Sequence, residues 1–139
     1  TVGNDAGVNG GSNTYVAYCW AEKVGFSKFG KYTGNGSTDG TFIYTGFKPS
    51  FVIAKESSSG GGHWRMRDNK RMTAGNPIDK LLRPDQATAE QTEDNVDFLS
   101  NGFKMRTTGG QNNGSGDTYI YMAFGQSLVG SNNVPCTAR

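Results

Sequence analysis

The sequence predicts an all-β domain, an antiparallel jelly-roll-like β-sandwich of about eight short strands. Three observations carry this expectation. Apolar residues make up only 34% of the 139 residues while aromatics reach 12%, so a core has to be built from few, large rings. Glycine contributes 21 residues without a collagen-like period, which calls for many tight turns. The runs rich in β-branched and aromatic residues are short, and Gly, Asn, Ser and Asp clusters separate them. The length suits one domain with one core, spanning 1–139.

The elements follow in order. Residues 13–22 (NTYVAYCWAE) contain no breaker and look apolar on both faces, which predicts a central strand. Trp20 then belongs to the core, and truncating it to Ala should cost about 3–5 kcal/mol. Residues 29–35 form a second strand, and 35–40 (NGSTDG) a turn of residues that tolerate positive φ. Strands at 41–47 and 51–56 flank Pro49, and 57–62 (SSSGGG) is a flexible tip before a strand at 63–68. From 69 to 95 the pattern weakens: 79–83 suggests a strand, and 87–93 one helical turn or an open loop. Strands at 96–99 and 103–108 flank Ser100-Asn101-Gly102, a short-range hairpin signal. The last strand is 118–126, and 128–139 is a polar tail.

Several function classes are disfavoured. A net charge of +2 is too small for nucleic-acid binding by bulk electrostatics. No apolar run approaches the ~20 residues of a spanning helix, so membrane insertion is not expected. The start at Thr1, with no signal-peptide pattern, reads as a fragment of a longer protein. Cys19 and Cys136 belong to no CxxC pair. They read either as a disulfide joining the tail to an early strand or as two unrelated thiols.

No catalytic constellation emerges. His63 is the only histidine, and no GxSxG, HExxH, P-loop or EF-hand pattern occurs. Asp85, Glu90, Glu93, Asp94 and Asp97 read as solvated charges rather than a glycosidase pair. The turns at 35–40 and 112–117 lack the clustered carboxylates calcium needs. The expectation is therefore no enzyme, no metal and no cofactor.

One stretch stands out, HWRMRDNKR at 63–71. Period-two alternation puts Trp64, Met66 and Asp68 on one face, expected to point into the core. His63, Arg65 and Arg67 fall on the other, with Lys70 and Arg71 just beyond, as an outward cationic strip. Guanidinium forks suit carboxylates, phosphates and sulfates, so an anionic surface glycan is a fitting ligand. The alternative is a solvated face paired with neighbouring Glu or Asp. Tyr119 and Tyr121 lie opposite Ile120, Met122 and Phe124. They suit a sugar-contact surface, or equally sheet-to-sheet packing with the hydroxyl at the rim.

Five segments carry a resemblance: YVAYCWAEK at 15–23, GFSKFGKYTGNG at 25–36, GFKP at 46–49, VDFLSNGFK at 96–104 and TYIYMAF at 118–124. Together they resemble a domain family common in marine tailed phages, where it recurs at the C-terminal end of long virion structural proteins, often after laminin-G-like jelly rolls. The resemblance implies a virion-surface location and a phage tail-fibre adhesion module binding host-surface polysaccharide or protein. It also implies a homo-oligomer, expected to be a trimer, that contacts other virion proteins. It carries over no catalytic residues. A decoration or filament subunit contacting its own copies is the second reading, and a glycan hydrolase the third. Arg65, Arg67, Lys70, Arg71, Cys19 and Cys136 look peculiar to this member.

Overall fold

Eight strands pair into two four-stranded antiparallel sheets in a computed structural model of the chain, which describes residues 3, 5–58 and 62–126. The strands are β1 (Ser27–Thr33), β2 (Phe42–Tyr44), β3 (Pro49–Glu56), β4 (Arg65–Asp68), β5 (Ile78–Leu81), β6 (Gln91–Leu99), β7 (Gly102–Met105) and β8 (Thr118–Gly125). Sheet I has the order β1-β8-β3-β4 and sheet II the order β2-β7-β6-β5. The expected sandwich is therefore present. Pairing β1 with β8 and β2 with β7 rolls both ends of the chain around the middle hairpins, the jelly-roll trait. Two single-turn helices add to this, α1 (Ala6–Asn9) and α2 (Gly110–Asn113).

The core between the sheets is aromatic. Tyr32 stacks on Tyr119 with centroids 4.9 Å apart, and Phe103 meets Tyr121 edge-on at 5.3 Å. Ile43, Ile78, Val96, Phe98 and Met105 fill the sheet II side. Buried phenols need partners, and the loop around α2 supplies them. The Tyr32 hydroxyl donates to the Asn112 carbonyl at 2.8 Å; that of Tyr119 donates to the Gly110 carbonyl and accepts from the Gly114 N–H. The buried Asn113 amide closes this end of the sandwich. Its Nδ2 faces Asn35 Oδ1 and the carbonyls of Ser37 and Thr107, all within 2.9 Å.

The expected hairpin forms between β6 and β7, with Leu99 paired to Gly102 and only Ser100 and Asn101 in the loop. Gly102 is required by space: a Cβ there would run into the Ile43 carbonyl oxygen of β2. The weakly patterned region also resolves. Residues 87–90 lie open without a helical turn, and β6 starts at Gln91, because 91–92 pair with β5. Met66 and Leu82 exchange backbone hydrogen bonds of 2.9 and 3.0 Å, which ties the strand entering from β5 to the free side of β4.

One expected strand is overturned. Residues 13–22 are extended but belong to neither sheet, and every one of them is exposed. Among the described residues, the backbone of 14–20 makes no hydrogen bond. Trp20 is 56% exposed, so it is not a core residue, and the large cost expected for its truncation is withdrawn. The strand positions it was expected to fill belong to β8 and β3, which flank each other at the centre of sheet I. Cys19 is exposed on this arm, while its suggested disulfide with Cys136 and the 128–139 tail lie outside the described residues.

Candidate functional site

The predicted cationic strip is turned the other way. Inward positions of β4 carry Arg65 and Arg67, which are 4% and 3% exposed, whereas Trp64, Met66 and Asp68 point outward. The register explains it: Arg65 pairs with Ala54 and Arg67 with Val52, both buried core positions of β3. Ala54 leaves room beside it for a long side chain. Arg65 reaches Glu93 at 2.6 Å and Gln111, so its charge is neutralised inside the molecule. Nε and Nη2 of Arg67 have no hydrogen-bond partner among the described residues. Burial, with Arg65 alongside, lowers its guanidinium to about 10, still protonated at neutral pH. Neither arginine can present a fork to a surface ligand.

The other predicted site residues separate as well. Arg71 is spent on Asp68 at 2.6 Å and Glu90 at 2.7 Å, and Lys70 alone is simply exposed. Tyr119 and Tyr121 are core residues, so their packing role holds and their sugar-contact role is overturned. His63 is half-buried with both ring nitrogens engaged. Nδ1 lies 3.1 Å from Asp85 Oδ2 and Nε2 lies 3.0 Å from the Gln86 amide nitrogen. Since that amide can only donate, Nε2 accepts and the proton sits on Nδ1, facing the carboxylate.

Inverting β4 and β8 leaves an apolar face outside. Outward side chains of sheet I form rows across the strands. One row runs Phe29, Met122, Ile53, Met66; another joins Phe124 to Phe51; a third runs Lys31, Ile120, Lys55. Phe26, Phe29 and Phe51 all surround Phe124, with centroids 5.7–6.2 Å away. Antiparallel sheets ordinarily alternate apolar-in and polar-out, so a sheet apolar on both faces has a surface built to be covered. The outer face of sheet II is the contrast: Lys104 pairs with Asp39 and Arg106 with Asp97.

Within this face one corner is concave. Ile53, Met122, Trp64, Pro84 and Asp85 line an open groove of about 250 Å3. Lys55 Nζ stands 5.8 Å from the Trp64 ring centroid. Burial alone would raise the Asp85 carboxyl, but hydrogen bonds from His63 and the Trp64 N–H outweigh it and hold Asp85 below its usual value. The groove thus combines an aromatic wall, an aliphatic floor, a carboxylate acceptor and an ammonium donor. Chemically it suits a ligand with an apolar face and a polar rim. Sequence reasoning missed Trp64, Ile53 and Met122 as surface residues, although the alternation had grouped Trp64 with Met66 and Asp68, and Met122 with Ile120 and Phe124.

A family model described as "Domain of unknown function (DUF7483)" matches residues 1–127. No curated protein and no solved structure matches the chain.

Proposed function

We propose that the chain, which belongs to the DUF7483 family, is a non-enzymatic adhesion module of a virus particle, a phage tail-fibre domain that holds host-surface glycan in the Trp64 groove. The observation that carries this reading is the outward, half-buried Trp64 beside Asp85 and Lys55 on an apolar sheet face. A sugar ring offers C–H bonds on one side and hydroxyls around its edge. Trp64 takes the first by stacking; Asp85 accepts from the second. Lys55, with Lys31 along the same row, favours glycans that carry carboxylate or phosphate. The virion location rests on the phage-like segments of the sequence. A small, open groove gives a weak site, and a homotrimeric fibre end gains avidity from linking several of them.

Titration of purified host-surface polysaccharide into the chain tests this. Trp64→Ala should leave the fold intact by circular dichroism and weaken binding at least ~10-fold, or about 1.4 kcal/mol. Equal affinity of the variant removes the groove from the site. New reducing ends on prolonged incubation make the chain a hydrolase instead.

A further inference from the structure

We infer that the arm of residues 14–22 docks on the outer face of sheet I of a second copy of this chain, so that copies are joined by exchanging arms. The arm is a strand in composition without a sheet to belong to. Val16, Tyr18 and Trp20 share one side of it and are 78%, 75% and 56% exposed, the two rings stacked at 6.0 Å. Its backbone donors and acceptors from 14 to 20 are unpaired among the described residues, so no backbone hydrogen bond to the sandwich holds this stretch in place.

The root of the arm is fixed to the sandwich, and its tip is tied to the turn of α1 that precedes it. At the root, Lys23 bridges to Ser27, the Ser27 hydroxyl donates to the Ala21 carbonyl at 3.1 Å, and Glu22 pairs with Lys28 at 2.8 Å. At the tip, the Tyr15 hydroxyl donates to the Ala6 carbonyl and accepts from the Gly10 N–H, each at 2.6 Å. Fully extended, the bare stretch between them reaches ~20 Å at ~3.3 Å per residue.

The receiving surface is the β1–β8 side of the outer face, where Phe26 and Ile120 are exposed beside Phe29 and Phe124. The outer face of sheet II carries the ion pairs Lys104–Asp39 and Arg106–Asp97 beside its exposed Phe42 and Tyr44, and among the described residues it has no ring cluster like the one around Phe124. Area argues for a second copy. Taking ~150–250 Å2 for a fully buried aromatic, the arm's two partly exposed rings and Val16 offer about 400 Å2, and the face they cover a similar amount. One arm then removes about 800 Å2 in total, and a reciprocal exchange about 1,600 Å2, the size of a standard specific interface. Both halves of that interface are present on every copy, and both lie bare within one copy. The inference goes beyond glycan binding and stands on different residues, since the Trp64 corner stays open.

Sedimentation of the chain tests it, with three samples. The unaltered chain should run as a multiple of the single-chain mass. Tyr18→Ser with Trp20→Ser, altered only outside the sheets, should run as one chain. Ile120→Glu, altered only on the receiving face, should also run as one chain. Mixing the two variants at high concentration should restore one arm–face contact of about 800 Å2 and hence a weaker two-chain complex, because each supplies the half the other lacks. A single-chain mass for the unaltered protein, an unchanged mass for the arm variant, or no complex on mixing would each overturn the inference. Glycan binding by the arm variant, per chain, should be unchanged, which separates this result from the fate of the adhesion reading.

Discussion

A guanidinium between two sheets is costly unless acceptors meet it. Arg65 has them in Glu93 and Gln111, one on β6 and one in α2, so a single side chain links sheet I to sheet II and to the closing loop. Arg65→Ala should therefore cost about 3 kcal/mol, read as a shift of the denaturation midpoint, because it removes the 2.6 Å ion pair with Glu93 and opens a hole. Trp20→Ala in dilute protein should change stability by less than about 0.5 kcal/mol, as for other surface sites. Equal losses for the two would mean that the arm is part of the folded core. Alternation along 63–68 sorted these residues into the correct two sets. It did not say which set faces in, because a period of two is blind to direction. The deciding facts are Ala54 and Val52 across the strand pair and Glu93, 28 residues away from Arg65, and none of these is local.

Strand formation is a matter of partners as much as of composition. Residues 13–22 have a strand composition and pair with no strand among the described residues, whereas Gln91 to Asn95 are polar and lie in β6. β-propensity measures fit to a half-buried, paired surface, and the sequence shows the fit without the pairing. The 96–104 hairpin was legible because its signal lies in adjacent residues; the β1–β8 pairing was not, since residues 34–117 separate its strands. That pairing buries Tyr32, Tyr119 and Tyr121, and burial pushes all three phenols up from the usual value. A neutral phenol is the favoured form inside, so its stability contribution is complete below the unfolded value of about 10 and is lost as pH rises above it. The rise in tyrosinate absorbance from Tyr32, Tyr119 and Tyr121 should therefore coincide with loss of the β-sheet circular dichroism signal. Ionisation of all 6 tyrosines while that signal persists would contradict the packing.

At the scale of the molecule, the two sheets have unlike outer faces. Sheet II closes with ion pairs; sheet I turns Phe29, Met122, Ile53 and Met66 outward and keeps tyrosines and arginines within. The sandwich class was readable from glycine, turn and strand spacing. This reversal was not, because it depends on the α2 loop satisfying buried hydroxyls that a sequence pattern places on a wet surface. The central claim is that the outer face of sheet I is the binding face, with the Trp64 groove as its ligand corner. Nuclear magnetic resonance of the chain during titration with host polysaccharide tests it most directly. The account predicts that the Trp64 indole, the Ile53 and Met122 methyls and the Asp85 amide shift together along one saturating curve. Shifts confined to the sheet II face at Phe42 and Tyr44, with Trp64 unmoved, would contradict it.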